Sequence, residues 1–421
     1  MKIAVIGSGI SGLSCAWLLA HKHAVTVFEQ QHYAGGHSNA VDVTLDGLRY
    51  PVDTGFLVFN EQTYPNLLNL FAVLGVEYAN TDMGFSVRLP HENIEWAGSN
   101  IGTLFAQKRN LLRPSFWLMI KDILRFNKEA PELLIQAQKH QYTLGQLLQV
   151  GGYSKAFAEW YLLPMGAAIW STPPAGMEDF PAQSFLQFCL NHGLLQVNNR
   201  PQWLTVKGSS REYVKRLCAG IGDVRLNTAI TKVERSAHGV IVHTQTESLH
   251  FDAVVMACHS DQTLSLLADA SAQEQAILSA VRYAPNKAYL HTDQSVMPAR
   301  RQAWSAWNYY TAKTPDRQRP VAVTYWLNKL QPLPFSTPLF VTLNPPEPIE
   351  PSTILAEFDY AHPQLDAAAY DAQQKLSAIQ GLGGVYYCGA WTGYGFHEDG
   401  LKAGLRVAKL LNANIPWQAI L

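Results

Sequence analysis

Two glycine-rich segments, one near each end of the chain, have residue types and spacing that suit the binding of a negatively charged group. In residues 2–12 an apolar run precedes three glycines at GxGxxG spacing. In residues 386–404 a β-rich run leads to glycines, an acidic pair and a run of small residues. The first turn of a helix has unpaired N–H groups and a partial positive charge. Each segment therefore predicts a helix that begins at a phosphate or another anionic ligand atom.

The N-terminal segment has every part of a dinucleotide-binding turn. Its β-branched run predicts a buried parallel strand, and a helical pattern follows the glycines. In such a turn Gly7 permits the bend, Gly9 lets the backbone approach a pyrophosphate, and Gly12 allows close helix–strand packing. A second predicted strand ends in Glu29, about 20 residues further on, where a carboxylate can bind a ribose hydroxyl. The motif does not by itself distinguish NAD from FAD.

Several segments resemble the superfamily of flavin amine oxidases, protoporphyrinogen oxidases and phytoene desaturases. They are residues 34–43 (AGGHSNAVDV), 53–60 (DTGFLVFN), 224–258 and 388–404 (CGAWTGYGFHEDGLKAG). The resemblance implies an α/β fold, with a Rossmann-like FAD-binding domain and an inserted substrate domain of mixed helix and sheet. It also implies that the C-terminal helix begins at the pyrimidine end of the flavin, where negative charge grows on reduction.

Matching these motifs residue by residue implies a set of FAD contacts. The expected contact residues are Gly7, Gly9, Ser11, Gly12, Glu29, Gln30, Gly36, His37, Ser38, Thr54, Gly55, Phe56, Ile230, Gly389, Ala390, Glu398, Gly400 and Leu401. Two positions depart from the family pattern: His37 replaces the usual arginine, and Ala390 stands where an aspartate often binds the ribityl chain. No cysteine matches a position of covalent flavin attachment, so non-covalent FAD is expected.

Three residues are candidates for a catalytic role. Trp307 and Tyr309 belong to an aromatic stretch that can wall a cavity at the flavin face or simply pack a strand. His397 stands at the expected start of the C-terminal helix, and histidine titrates near neutrality, so it can move a proton. The nearby Asp399 is expected only to cap that helix. No metal site is expected, since the cysteines lack metal-binding spacing.

The order of the motifs predicts a discontinuous FAD-binding domain made of residues 1–65, 200–265 and 380–421. Residues 66–199, which look mainly helical, and 266–379, which mix helix and strand, are expected to form the substrate domain. The sequence has no second GxGxxG motif with a following acid. No NAD(P)H domain is therefore expected, and reduced flavin should pass its electrons to oxygen, a quinone or a protein carrier.

Composition limits the partners and the compartment. The net charge is −1 and 15% of residues are charged, so no global field favours nucleic acid. The five scattered cysteines fit a reducing, cytoplasmic compartment. The first twenty residues are not interpreted as a signal peptide, because glycines and serines interrupt their apolar run. No apolar stretch is long enough to predict a membrane-spanning helix.

Residues 104–130 allow two interpretations. They place Lys108, Arg109, Arg113, Lys121, Arg125 and Lys128 among aromatic and aliphatic residues. A basic amphipathic helix with aromatics can lie on an anionic membrane surface, here the inner face of the cytoplasmic membrane. The same pattern also fits a helix of the substrate domain that packs on the core and has a basic outer face.

The favoured function is an FAD-dependent oxidoreductase that removes a hydride from an apolar or lipid-like substrate and forms a double bond. A bacterial amine-oxidase-like subgroup with DTGFLVFN and GAWTGYGFHEDGL is linked to fatty-acid modification, including desaturation of methylated acyl chains on the way to furan fatty acids. The fatty-acyl substrate is implied by that resemblance alone. A flavin amine oxidase, a non-redox flavin-dependent isomerase and a lipid-binding or assembly protein with an inert flavin stay open.

Overall fold

The computed structural model describes residues 1–196, 200–312 and 321–421. The strands are β1 (Lys2–Ile6), β2 (Ala24–Phe28), β3 (Ala40–Leu45), β4 (Leu48–Asp53), β5 (Phe59–Asn60), β6 (Tyr78–Thr81), β7 (Phe85–Leu89), β8 (Ile94–Ala97), β9 (Trp203–Val206), β10 (Asp223–Arg225), β11 (Ile230–Ser236), β12 (Gly239–Thr244), β13 (Ser248–Phe251), β14 (Ala253–Met256), β15 (Arg282–His291), β16 (Trp307–Tyr310), β17 (Ala322–Trp326), β18 (Phe340–Leu343), β19 (Ile354–Gln364) and β20 (Val385–Tyr387).

The helices are also numbered in chain order. The α-helices are α1 (Ile10–Ala20), α2 (Pro65–Leu74), α3 (Ile101–Leu104), α4 (Pro114–His140), α5 (Leu144–Val150), α6 (Lys155–Phe157), α7 (Leu163–Trp170), α8 (Pro174–Glu178), α9 (Ala182–Asn191), α10 (Arg211–Ile221), α11 (Ser260–Leu266), α12 (Ala272–Ser279), α13 (Leu327–Leu330), α14 (Ala367–Lys375) and α15 (His397–Leu410). A π-helix, Ala158–Leu162, joins α6 to α7, and a 3-10 helix, Lys108–Leu112, precedes α4. Among the described residues no helix is both long and apolar enough to cross a membrane.

A five-stranded parallel sheet contains both ends of the chain. Its strand order is β10-β2-β1-β14-β20, and each neighbouring pair is parallel. Residues 3–5 of the central β1 are fully buried, as expected for a parallel strand with both faces covered. Because the strands are parallel, their carboxyl ends lie at one edge of the sheet, and a ligand-binding turn is expected at that edge.

The helices α1 and α15 pack closely against each other. A Cβ added at Gly404 would lie 2.4 Å from the backbone oxygen of Ser11, and one added at Gly400 would lie 2.9 Å from Ile10. Only glycine permits so close an approach. The starts of the two helices are adjacent, since Gly400 faces the first turn of α1. The two helix N-termini expected from the sequence therefore lie side by side.

A seven-stranded sheet forms the second large unit, in the order β19-β15-β18-β17-β16-β7-β8. It is antiparallel except where β16 pairs with β7. The strands β19, β6, β7 and β8 are not among the elements predicted from the sequence. The last three lie in residues 66–199, which were expected to be mainly helical, and they are too short for their alternation to stand out against loop residues.

The α/β fold class with a parallel sheet and a second, mixed unit is confirmed. The parallel strands come from residues 2–28, 223–256 and 385–387. The strands of the seven-stranded sheet come from residues 85–97, 282–343 and 354–364. The domain boundaries stay a prediction, and residues 197–199 and 313–320 of the expected substrate segments lie outside the described residues.

Candidate functional site

One cavity of about 700 Å³ is lined by residues from both large sheets and from the first turns of α1 and α15. It extends from the turn after β1 to aromatic side chains of the seven-stranded sheet. A single continuous space thus connects the predicted nucleotide-binding turn with the region expected to bind substrate.

The turn between β1 and α1 has the geometry of a phosphate cradle. Gly9 is the N-cap of α1, and a Cβ added there would meet no atom within 4 Å. Gly7 has a φ of 104°, which favours glycine. A Cβ at Gly12 would lie 2.0 Å from the oxygen of Gly7, so Gly12 serves packing behind the cavity wall. The free space above Gly9 and the N–H groups of α1 fit a pyrophosphate.

The carboxylate of Glu29 is fixed at the end of β2. It accepts hydrogen bonds from the backbone N–H of Ser8 at 3.0 Å and from its hydroxyl at 2.6 Å. It also accepts the N–H of Gln31 at 2.9 Å. Charge-assisted bonds of this kind hold a carboxylate in one orientation. Glu29 and its neighbour Gln30 line the cavity, where a ribose next to the pyrophosphate would lie.

His37, which replaces the family arginine, is a neutral group of the cavity wall. Its ring stacks on Tyr360 at 5.0 Å and lies 5.4 Å from the ring of His362. Burial, together with neighbouring histidines, lowers the pKa of His37 to about 3. Its Nε2 is buried and has no hydrogen-bond partner among the described residues. A buried polar atom without a partner is costly, and a bound ligand oxygen would satisfy it.

The loop after β4 is held against the His37 segment. The N–H of Phe56 donates to the oxygen of His37 at 2.7 Å, and a Cβ at Gly55 would lie 2.3 Å from that same oxygen. The hydroxyl groups of Thr54 and Tyr360 are 3.0 Å apart. The close approach at Gly55 explains why this position requires glycine.

His397 opens α15 and is fixed by two contacts. Its ring stacks on Phe56 with centroids 3.8 Å apart, and its Nε2 lies 2.8 Å from the hydroxyl oxygen of Tyr213. Tyr213 in turn bonds to the hydroxyl of Ser38. Burial lowers the pKa of His397 to about 3. The imidazole is therefore neutral and oriented by a hydrogen-bonded chain of three side chains.

The two acidic residues after His397 cap the starts of helices. The carboxylate of Glu398 accepts the N–H groups of Asn66 and Leu67, each at 3.0 Å, and so caps α2. Asp399 accepts the N–H of Phe396 at 3.0 Å, which agrees with the expected capping role. Burial raises the pKa of both carboxyl groups to about 6.

The structure brings most of the predicted residues to the cavity. Those that line it are Gly7, Gly9, Ser11, Glu29, Gln30, Gly36, His37, Thr54, Gly55, Phe56, Ile230, Gly389, Ala390, His397 and Trp307. The residues that lie outside the lining are Gly12, Ser38, Glu398, Gly400, Leu401 and Tyr309. Leu401 and Tyr309 pack in hydrophobic cores. Roles in FAD binding or catalysis stay predictions for all of them.

The substrate side of the cavity is mainly aromatic and aliphatic. Its lining includes Met83, Phe85, Trp96, Tyr161, Met165, Ile169, Trp170, Phe188, Leu194, Trp307, Tyr325, Tyr394 and Phe396. Among the described lining residues, the side chains that carry charge are Glu29 and Arg200, because burial lowers the pKa of the histidines. Such a wall suits an apolar ligand.

Sequence reasoning missed several lining residues. Tyr360 and His362 lie on β19, and the alternation of residues 354–364 (ILAEFDYAHPQ) could have identified that strand. Tyr394 and Phe396 lie inside the C-terminal glycine motif, where aromatic residues beside a ligand turn were a usable signal. Arg200 had no sequence signal of its own.

The turn after β1, Glu29 and the unpartnered Nε2 of His37 fit the nucleotide of a bound FAD, and the protein is an FAD-dependent oxidoreductase by its family. The chain belongs to the family of flavin containing amine oxidoreductases, whose family model matches residues 10–329.

Three solved structures show the same fold over nearly the whole chain. A fatty acid isomerase from P. acnes that produces CLA superposes with a TM-score of 0.67 at 14% identity, covering 97% of each chain. A putative protoporphyrinogen oxidase from Exiguobacterium sp. 255-15 has a TM-score of 0.68 at 14% identity, covering 97% of this chain and 98% of the other. Cyclohexylamine oxidase from Brevibacterium oxydans IH-35A has a TM-score of 0.67 at 15% identity, covering 98% and 99%.

One curated relative is similar over a shorter stretch. The carotenoid phi-ring synthase of Streptomyces griseus is 31% identical over 140 residues, which cover 30% of this chain. The match spans 25% of the length of that relative, so the similarity concerns one segment.

Proposed function

We propose that this oxidoreductase binds FAD without a covalent bond and removes a hydride from a fatty-acyl substrate, leaving a carbon–carbon double bond. The observation that carries the proposal is the apolar, aromatic substrate side of the cavity. An acyl chain gains about 0.8 kcal/mol for each CH₂ group that it buries. Bound FAD supplies the electron-pair acceptor for the hydride.

The charges of the cavity disfavour an amine as substrate. An ammonium group that enters an apolar cavity needs a carboxylate or another acceptor. Among the described lining residues the carboxylate is that of Glu29, which already binds Ser8 and Gln31. The histidines His37 and His397 are neutral because burial lowers their pKa values to about 3. A neutral acyl chain needs none of these partners.

The polar side chains of the cavity orient the bound ligands by hydrogen bonding and are weak proton acceptors. The lowered pKa makes His397 a weak base, so it acts by hydrogen bonding, with Tyr213 fixing its ring. The substrate proton that is lost together with the hydride is taken by water, because burial lowers the pKa of the wall histidines. The rings of Trp307 and Tyr325 stack 6.3 Å apart, and they position the acyl chain of the substrate.

Cys258 supports non-covalent binding. It is the cysteine that lines the cavity, directly after Ala257, whose oxygen approaches Gly7. It therefore lies at the pyrophosphate end. Burial raises the pKa of its thiol to about 11, so it is a poor nucleophile. Denaturation is expected to release intact FAD.

Anaerobic titration tests the substrate class. Methyl-branched or unsaturated fatty-acyl lipids are expected to bleach the flavin absorbance, and the lipid product should have lost two hydrogen atoms by mass spectrometry. Simple amines such as putrescine and cyclohexylamine should leave the spectrum unchanged, since the cavity offers them no free carboxylate.

The same titration separates the alternatives. Rapid bleaching by amines alone would assign amine oxidation. A lipid product of unchanged mass with a shifted double bond would assign isomerisation. Reoxidation of the reduced protein by oxygen, a quinone or a protein carrier would identify the electron acceptor.

Arg200 is expected to bind the carboxylate of a free fatty acid at the cavity wall. The residue is exposed, and its guanidinium donates to the backbone oxygens of Gln196 and Gly98, which leaves further N–H groups available. Arg200→Gln should raise the KM for a free fatty acid about tenfold, which corresponds to about 1.4 kcal/mol. The KM for the methyl ester should be unchanged. An equal rise in the KM for the acid and for the ester would contradict carboxylate binding by Arg200. Arg49→Gln, at an exposed site, provides the control.

A further inference from the structure

A surface that we call the basic apolar patch lies beside the cavity. It is defined by Ile101, Lys108, Arg109, Leu111, Leu112, Trp117, Leu118 and Lys121. Ile101 and Leu112 are 78% and 87% exposed, and the other apolar members are exposed by nearly half. Large exposed apolar side chains that cluster together indicate an interaction surface.

Contacts between side chains and backbone connect the segments that carry the patch. The ring of Phe105 lies 5.2 Å from that of Trp117, and the N–H of Phe105 donates to the oxygen of Ile101 at 3.1 Å. The indole N–H of Trp117 donates to the oxygen of Leu111 at 2.9 Å. These contacts join α3, the 3-10 helix Lys108–Leu112 and the first turn of α4.

The charged residues that define the patch are all basic. Residues 101–121 contain Lys108, Arg109, Arg113 and Lys121 and no Asp or Glu. Lys108 and Lys121 are exposed and have no hydrogen-bond or ion-pair partner among the described residues. Arg125 does not belong to this surface, although the sequence groups it there, because it pairs with Asp122 and stacks on Tyr153.

The segment that carries the patch begins next to the cavity wall. Gly98, three positions before Ile101, lines the cavity, and its oxygen accepts a bond from Arg200 of the same wall. A molecule seated on the patch would therefore lie next to an edge of the cavity.

We infer that the basic apolar patch docks the protein on an anionic lipid bilayer. Apolar tips enter the outer acyl region, the indole lies at the interface, and the cations meet lipid phosphates. The basic charge favours this partner over an apolar protein surface. Delivery of an acyl substrate through the neighbouring cavity edge rests on the proposed function, whereas bilayer binding does not.

Vesicle flotation of the FAD-loaded protein tests the docking. Vesicles of phosphatidylcholine with about one third phosphatidylglycerol, an anionic surface, should carry the protein, and vesicles of phosphatidylcholine alone should bind it at least about tenfold more weakly. Ile101→Asp with Leu112→Asp should reduce binding at least about tenfold, as should Lys108→Glu with Lys121→Glu. High salt should weaken binding of the unaltered protein.

Two exposed leucines outside the patch give a matched control. Leu382→Asp with Leu410→Asp should leave vesicle binding unchanged. Absence of binding, or binding that the patch variants leave intact, would overturn the docking. A patch-dependent dimer without vesicles would overturn it too, by assigning the surface to a second copy of the chain. Flavin bleaching by dispersed acyl lipids is scored separately, so failure of the proposed function and failure of docking are distinguishable.

Discussion

Gly9→Val is expected to give a folded protein that binds FAD about a hundredfold more weakly and is purified with little of it. The added Cβ meets no protein atom within 4 Å, so we expect the apoprotein to accommodate the side chain. It fills the space above the first turn of α1 that a pyrophosphate needs. Overpacking of about 3 kcal/mol corresponds to a fall in FAD affinity of about a hundredfold. Flavin absorbance of the purified protein and titration of the apoprotein with FAD measure the effect.

The control for this prediction is the same substitution at Gly98. That glycine lines the substrate side, and an added Cβ has its nearest contact 3.6 Å away, at Trp96. Gly98→Val should retain its flavin, and Gly9→Ala should bind it with intermediate affinity. Stoichiometric FAD in Gly9→Val would contradict the cradle. If the Gly9→Val apoprotein melted at a lower temperature than the unaltered apoprotein, a damaged fold would explain the loss of FAD instead.

The nucleotide-binding turn was predictable because its requirements are local. Gly7, Gly9 and Gly12 are close in sequence, and the bend, the open space and the helix contact all depend on their spacing. Glu29 follows one strand later, so a single βαβ unit fixes its distance from the turn. Family resemblance then separated FAD from NAD, which the turn alone does not do.

The surroundings of the C-terminal helix were not predictable in the same way. The motif predicts an FAD contact at Gly400, which stays a prediction, and the structure shows that Gly400 and Gly404 also pack α15 on α1. Which face of a helix meets another element depends on tertiary arrangement. The sequence therefore indicated that a helix begins near His397 without showing which of the following residues reach the cavity.

Contacts between residues far apart in sequence account for the remaining differences between the predictions and the structure. Arg125 has the spacing of a basic helix face, but Asp122 and Tyr153 hold it away from the patch. His37 meets Tyr360 and His362, more than 300 residues later, only because β19 lies in the seven-stranded sheet that faces the nucleotide turn. A single sequence has no local signal for such pairs.

Glu398→Ala is expected to lower the free energy of unfolding by about 3 kcal/mol, since at least two buried N–H groups would each lose their acceptor at about 1–3 kcal/mol. These are the N–H groups of Asn66 and Leu67 at the start of α2. The side chain of Asn66 also binds Glu398, at 2.7 Å, and holds the backbone of Ile420 at 2.7 and 3.0 Å. The C-terminal tail should therefore become more accessible to protease.

Glu398→Gln separates this structural role from a role in flavin binding. The amide keeps one acceptor oxygen for Asn66 and loses the bond to Leu67, so it should cost about half as much as alanine. Glu77→Ala at an exposed position should change stability by less than about 0.5 kcal/mol. Urea unfolding of the apoproteins measures these differences. Unchanged stability of Glu398→Ala with lost FAD would instead place the carboxylate at the cofactor, against the contacts to α2.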